Sequence, residues 1–123
     1  MRELTILVAD DSEAEREQLR HTFFQVCEPS VVVKTCATSA AVDEIRLSQP
    51  DVVVLDIPMP HRDGIQVLRE IRRESQSAVI IMFTADPSVV LQEVCLEAGA
   101  NYYLHKTQLR ELIDICSDRL VRT

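Results

Sequence analysis

The feature that most constrains the fold is an alternation of short apolar runs with amphipathic stretches along the whole chain. The third and fourth runs, Val52 to Leu55 and Val79 to Phe83, are apolar at every position, which is typical of parallel strands covered by helices on both faces. The sequence therefore predicts a sheet with these two strands near its centre. The other expected strands are Leu4 to Ala9, Val31 to Cys36 and Tyr102 to Leu104.

Helical patterns lie between the apolar runs. Ser12 followed three residues later by Glu15 predicts a capping box, in which each residue bonds a free backbone N–H of the first turn. A second, weakly patterned helix is expected near Ser39 to Ser48. A fourth helix should have Pro87 in its first turn and end near Ala98, with Gly99 after it. Thr107 is the expected N-cap of the fifth helix.

Five strands that are each followed by a helix give a (βα)5 chain of the α/β class. Right-handed crossovers favour a doubly wound, five-stranded parallel sheet, for which the order 2-1-3-4-5 is a common solution. With 123 residues and no repeat or linker, we expect one domain over residues 1–123 and no output domain in this chain. Ligands of such sheets bind at the carboxyl ends of the strands.

Composition excludes several classes of function. No apolar stretch approaches the roughly 20 residues of a membrane span and no signal peptide is evident, so a cytoplasmic location without membrane attachment is expected. The net charge of −7 argues against direct binding of nucleic acid by this domain. With only two glycines the chain lacks the glycine-rich loops of nucleotide sites, so any phosphate chemistry must rely on side chains and metal.

The cysteines and histidines are too scattered for a zinc site. The cysteines stand in apolar segments without a C-x-x-C pair and are expected to be reduced core residues, and the histidines are expected on the surface or in loops. These residues are Cys27, Cys36, Cys95, Cys116, His21, His61 and His105.

Polar residues that can carry chemistry follow four of the five strands. Asp10 and Asp11 close the first strand, Asp56 the third and Thr84 the fourth, while Lys106 follows the fifth. Each alone fits a structural role, such as a loop carboxylate or a cap. In the order 2-1-3-4-5 these strands are neighbours spaced by about 4.8 Å, so all five side chains should converge at one edge of the sheet.

Three neighbouring carboxylates repel one another unless a cation lies between them. A divalent ion together with Lys106 removes that penalty. Because the donors are all oxygen atoms, the ion that fits best is Mg²⁺, which binds few carboxylates and keeps several waters.

The segment Asp56-Ile57-Pro58-Met59-Pro60-His61-Arg62-Asp63-Gly64 resembles the D-[LI]-x-M-P-x-x-D-G signature of response-regulator receiver domains. The pair Asp10-Asp11, the step Thr84-Ala85 and the stretch from Gly99 to Lys106 resemble the other signatures of that family, in the same order. The resemblance covers the whole chain and implies the flavodoxin-like fold of two-component signalling proteins.

The resemblance implies that Asp56 is the nucleophile that takes a phosphoryl group from the phosphohistidine of a histidine kinase or from a small phosphodonor. Such a domain is not a conventional enzyme, because it catalyses its own phosphorylation and dephosphorylation. The roles implied for the other residues are Asp11, Asp56 and the Pro58 carbonyl as Mg²⁺ ligands, Asp10 as a ligand through water, and Thr84 and Lys106 as groups that bind phosphoryl oxygens.

Tyr103 occupies the position of the family's switch aromatic, which moves together with the residue equivalent to Thr84. The implied partners are a histidine kinase or phosphotransfer protein, and an output domain or partner protein that recognises the surface of helix 4, strand 5 and helix 5. The sequence leaves open whether phosphorylation drives homodimerisation through that surface.

Three positions bear on how closely this chain follows the family. Thr107 replaces the usual proline after the lysine. Pro58 and Asp86 occupy positions that in this family tune the lifetime of the phosphoryl group. Three other functions are alternatives to this one. A Mg²⁺-dependent phosphatase usually has D-x-D at its nucleophile, and a flavodoxin-like electron carrier needs a flavin-phosphate loop that this chain lacks. A receiver-like interaction module without phosphorylation stays open.

Overall fold

The computed structural model describes residues 4–26, 31–56, 62–86 and 88–121. The strands are β1 (Leu4–Ala9), β2 (Val31–Cys36), β3 (Val52–Leu55), β4 (Val79–Thr84) and β5 (Tyr102–His105). The helices are α1 (Glu13–Val26), α2 (Ala41–Ser48), α3 (Arg62–Glu74), α4 (Val89–Ala98) and α5 (Leu109–Val121), and a 3-10 turn at Thr38–Ala40 precedes α2.

The strands form one parallel sheet in the order β2-β1-β3-β4-β5, which confirms the predicted fold and strand order. In this register Ala9 at the end of β1 lies opposite Leu55 at the end of β3, and Thr84 lies opposite His105. The residues that follow β1, β3 and β5 therefore reach the carboxyl edge of the sheet at the same level.

The core has two layers because side chains alternate between the faces of each strand. On one face Leu7, Val53 and Ile80 pack against α2, α3 and α4, and on the other Ile6, Val54 and Ile81 pack against α1 and α5. All six side chains are at most 2% exposed. Apolar burial on both faces explains why β3 and β4 are continuously apolar in sequence.

Two helix starts differ from the sequence prediction. Helix α4 begins at Val89 with Ser88 as its N-cap, since the Ser88 hydroxyl accepts the Leu91 N–H at 3.2 Å, whereas Pro87 lies outside the described residues. Helix α5 begins at Leu109, so the prediction of Thr107 as N-cap is wrong. The Gln108 side chain instead accepts the His105 N–H at 2.8 Å, and the Thr107 hydroxyl bonds the His105 ring.

The amino edge of the sheet is held by one cation, Arg72 of α3. Its guanidinium donates to the Gly99 carbonyl at 2.8 and 3.0 Å and to the Asn101 amide oxygen at 2.7 Å. It also donates to the carbonyls of Ser75, Gln76 and Ala78. Gly99 has φ 123°, and an added Cβ would lie 2.9 Å from Arg72 Cγ, so this position requires glycine.

Of the described cysteines, Cys95 and Cys116 are buried and Cys36 is half-buried, while Cys27 lies outside the described residues. This agrees with their prediction as core residues. Within the part of the chain that the structure describes, no helix combines the length and apolar character needed to cross a membrane.

Candidate functional site

Backbone hydrogen bonds extend the sheet one residue beyond the strands and thereby fix the residues at its carboxyl edge. The Asp56 N–H donates to the Ala9 carbonyl at 2.9 Å, and the Lys106 N–H donates to the Thr84 carbonyl at 2.9 Å. The Asp10 N–H donates to the Cys36 carbonyl at 3.1 Å. The parallel ladder therefore carries Asp10, Asp56 and Lys106 to one site.

Lys106 lies at the centre of this site. Its ammonium nitrogen is 2.9 Å from Asp10 Oδ2 and 3.0 Å from Asp56 Oδ2, and it also donates to Glu15 Oε2 in the first turn of α1. The Lys106 side chain is 18% exposed and that of Asp10 only 6%. Lys106 thus crosses from β5 to the acidic residues after β1 and β3, as the predicted strand order requires.

The charges at the site perturb each other. Burial alone would lower the pKa of Lys106, but hydrogen bonds to Asp10, Glu15 and Asp56 outweigh burial and raise it. Burial raises the pKa of the Asp56 carboxyl, and the hydrogen bond and positive charge of Lys106 only partly offset this. Lys106 is therefore a permanent cation, and the Asp56 carboxylate is incompletely compensated.

Thr84 borders Asp56 from the other side. The residue is buried, and a hydrogen bond from its side chain to Asp56 favours the ionised carboxylate and so lowers the pKa of Asp56. The same hydroxyl oxygen accepts the Asp86 N–H at 3.3 Å. Thr84 thus links the Asp56 carboxylate to the loop between β4 and α4.

Two side chains on one face of β5 hold that loop. The Tyr103 hydroxyl donates to the Asp86 carbonyl at 2.8 Å, and His105 Nε2 lies 3.0 Å from the Ala85 carbonyl. Burial raises the pKa of Tyr103 to about 12. Since the Thr107 N–H donates to His105 Nδ1, a contact that proline could not make, His105 presents Nε2–H to Ala85.

The Asp11 side chain lies beside the carboxylates that contact Lys106 and has no contact with Lys106 among the described contacts. It is exposed, and its Oδ1 accepts the Thr38 N–H at 3.0 Å. The Thr38 hydroxyl donates to the Asp56 carbonyl at 2.9 Å, so Thr38 connects Asp11 to the backbone of Asp56. Sequence reasoning did not identify Thr38, because a threonine after a strand has no distinguishing pattern.

Sequence reasoning also assigned Glu15 the wrong partner. The Glu15 N–H donates to Ser12 Oγ at 3.3 Å, which is one half of the predicted capping box. The other half is absent among the described contacts: the Ser12 N–H donates to Asp10 Oδ1 at 2.8 Å, and the Glu15 carboxylate accepts from Lys106. The position of Glu15 one helical turn after the acidic pair was the signal that could have found it.

One oxygen from each of Asp10, Glu15 and Asp56 lies within 4.8 Å of the others, close enough to hold a metal ion. This donor set consists only of carboxylates and suits Mg²⁺. Pro58 and His61 lie outside the described residues, so the structure does not test the carbonyl of Pro58 as a ligand or the location of His61. His21 is exposed, as expected.

A model of the response regulator receiver domain family matches residues 6–117. The chain belongs to this family. It is 36% identical over 115 residues to the response regulator MprA of Mycobacterium sp. (strain KMS), and 39% identical over 109 residues to MprA of Mycolicibacterium vanbaalenii. These alignments cover 88% of the chain and 46% of each relative, so the chain spans about half the length of the curated relatives it matches.

Solved receiver structures are similar over nearly the whole chain. The receiver domain of the Francisella response regulator 1452 is 26% identical, with a TM-score of 0.80 and coverage of 97% of this chain and 98% of that one. A chain of the CheX-CheY-BeF3-Mg complex from Borrelia burgdorferi is 27% identical, with a TM-score of 0.76 and coverage of 91% of this chain and 88% of that one. The chain is therefore a receiver domain of the two-component response regulator type.

Proposed function

We propose that this receiver domain accepts a phosphoryl group on Asp56 in a reaction that depends on Mg²⁺. The observation that carries the proposal is the contact of 3.0 Å between Lys106 Nζ and Asp56 Oδ2 at the edge of the sheet. A fixed cation beside a half-buried carboxylate can neutralise charge as phosphorus approaches that oxygen. This geometry supports phosphoryl transfer over a receiver-like module that only binds partners.

In the proposed transfer, an oxygen of Asp56 attacks phosphorus and forms an acyl phosphate. The bond from phosphorus to the donor breaks at the same time, and the leaving group takes the bonding electrons. From a phosphohistidine the leaving group is imidazole, which takes up a proton, and from acetyl phosphate it is acetate. Lys106 and Thr84 are positioned to bind the equatorial phosphoryl oxygens.

The acidic residues can supply a site for Mg²⁺. Asp10 and Asp56 offer buried or half-buried oxygens close together, and Asp11 lies next in sequence at the same edge. When bound, Mg²⁺ offsets negative charge on the phosphoryl oxygens and on the carboxylates. We assign Asp11, Asp56 and the Pro58 carbonyl as direct ligands and Asp10 as a ligand through water.

Phosphorylation would be transmitted by the loop between β4 and α4. Thr84 is bound to this loop through Asp86, and Tyr103 holds the carbonyl of the same residue. If Thr84 turns towards a phosphoryl group on Asp56, it releases the Asp86 N–H, and the loop that the Tyr103 hydroxyl holds at the Asp86 carbonyl is free to rearrange. The surface of α4, β5 and α5 would then change shape, which suits recognition by an output domain or partner protein.

The proposal also covers the setting of this domain. We assign it to the cytoplasm, with a histidine kinase or phosphotransfer protein as donor and without direct contact to nucleic acid or membrane. Residues 1–123 act as the phosphoacceptor unit.

The test is phosphorylation of the purified chain by acetyl phosphate with Mg²⁺, followed by intact mass. We expect an adduct of one phosphoryl group that is labile to base and is absent in Asp56→Asn and after chelation of Mg²⁺. Asp51→Asn is not a suitable control because Asp51 bonds the Thr5 N–H, so the exposed Asp43 provides the matched substitution. Asp43→Asn should label like the native chain.

A folded native chain that forms no adduct would favour the interaction module. An adduct that survives Asp56→Asn would place the acceptor elsewhere.

A further inference from the structure

Glu15 is a third carboxylate on Lys106; it lies in the candidate donor set for a metal ion, but the proposed function assigns it no role. Its position is fixed by the start of α1: the Glu15 N–H donates to Ser12 Oγ, and the next residue, Arg16, donates from its guanidinium to the Asp10 carbonyl at 2.5 Å. The first turn of α1 is thus tied to the end of β1. This attachment directs the Glu15 carboxylate towards the ammonium of Lys106.

The Lys106 ammonium has three N–H donors and three carboxylate partners, Asp10, Glu15 and Asp56. A phosphoryl oxygen would be a fourth acceptor. Because three carboxylates already surround the ammonium, two of them as hydrogen-bond acceptors, a phosphoryl oxygen has to compete with them for its N–H groups.

Glu15 is the partner that can leave at the lowest cost. Asp56 carries the phosphoryl group in the proposed reaction, and the Asp10 side chain is only 6% exposed, so a broken contact there would leave a buried charge without its cation. The Glu15 side chain is 43% exposed. Glu15 and Lys106 line a surface groove of about 160 Å³ between α1 and α5, so the released carboxylate can move into water.

We propose that Glu15 is a positioning residue that holds Lys106 in the resting state and competes with the phosphoryl group for its ammonium. This inference rests on the proposed function of Asp56 as phosphoacceptor. Glu15 thereby slows phosphorylation in two ways: it occupies a donor that the phosphoryl oxygen needs, and its negative charge repels an anionic phosphodonor. The contact acts as an autoinhibitory restraint built into the first turn of α1.

The experiment compares the native chain with Glu15→Gln and Glu13→Gln. Both substitutions remove one negative charge from the first turn of α1, but Glu13 is exposed and has no contact with Lys106 among the described contacts. With acetyl phosphate and Mg²⁺ we expect Glu15→Gln to form the Asp56 adduct about five-fold faster, the effect of losing one partly exposed ion pair. Glu13→Gln should stay within about two-fold of the native rate.

A second readout involves no chemistry. Beryllofluoride imitates a phosphoryl group on a carboxylate, so Glu15→Gln should bind it with Mg²⁺ about five-fold more tightly in an NMR titration. A residue with a merely structural role would not tighten this binding. Urea unfolding confirms that each variant is folded under the assay conditions.

The inference is overturned if Glu15→Gln reacts no faster than the native chain, or if Glu13→Gln accelerates as much. Absence of any adduct on the folded native chain would instead remove the proposed function itself, so the two failures are distinguishable.

Discussion

Two cations hold the opposite edges of one sheet, and their partners differ in kind. Lys106 at the carboxyl edge binds the carboxylates of Asp10, Glu15 and Asp56. Arg72 at the amino edge binds neutral acceptors, which are four backbone carbonyls and one side-chain amide. Burial lowers the pKa of Arg72, whereas the carboxylates raise the pKa of Lys106.

The difference in acceptors indicates which edge of the sheet can change its contacts. A carbonyl belongs to the backbone and keeps its partner as long as the loops keep their shape, so Arg72 acts as a permanent clamp on the loops before β4 and β5. Carboxylates can exchange a lysine for a metal ion, water or another cation. The carboxyl edge can therefore respond to a new charge while the amino edge keeps the sheet fixed.

Replacement of Lys106 should have the largest effect. With acetyl phosphate and Mg²⁺, Lys106→Ala should form the Asp56 adduct about 100-fold more slowly, because one preorganised cation is lost where charge develops. Quantitative intact mass against time measures this rate. The chain's other lysine, Lys34, is exposed on β2, and Lys34→Ala should retain the native rate. Equal rates for Lys106→Ala and the native chain would mean that the contact between Lys106 and Asp56 has no part in the chemistry.

Replacement of Arg72 should affect stability rather than chemistry. Arg72→Ala leaves several carbonyls without their donor and should lower the free energy of unfolding by about 2–3 kcal/mol, measured by urea denaturation. Arg69 is exposed on the same helix, and Arg69→Ala should change this free energy by less than about 0.5 kcal/mol.

Arg72→Ala should also be tested for phosphorylation under conditions where it is folded. If it loses phosphorylation as much as Lys106→Ala does, the two edges do not have the separate roles described above. We expect its rate to stay within about two-fold of the native rate, since Arg72 lies at the far edge of the sheet.

The smallest expected effect is on stability and comes from replacement of Asp56, whose ionised carboxylate destabilises the folded chain to an extent that depends on pH. Because burial raises its pKa above the ordinary value of an aspartic acid, the folded state binds this proton more readily than the unfolded state. The ionised carboxylate therefore lowers stability at neutral pH, and this cost fades as the pH falls through the raised pKa towards about 4. Without divalent metal, Asp56→Asn should be more stable than the native chain at pH 7.

Urea denaturation of both proteins between pH 7 and pH 4 measures that difference. It should shrink as the pH falls. A difference that grows towards acid pH would mean that Lys106 more than compensates the burial of Asp56.

The fold was predictable because its signals are local and repeated. The apolar runs at Val52 to Leu55 and Val79 to Phe83 are buried on both faces of the sheet except for the half-buried Val79, and the order of the strands follows from the handedness of their crossovers. The helix starts were less predictable. Thr107 looks like an N-cap, but its hydroxyl bonds the ring of His105, two residues earlier, and the helix starts at Leu109, because one local contact replaces another.

The sequence by itself determined that Asp10, Asp56, Thr84 and Lys106 follow adjacent parallel strands, since strand ends are set by hydrophobic pattern and side-chain period. Only the tertiary structure decided which carboxylates share the Lys106 ammonium. It placed Glu15 there and turned Asp11 towards Thr38. The physical reason is that the partners of a long, flexible side chain depend on which charged groups lie within its reach in the folded molecule. The spacing of residues along the chain does not give those distances.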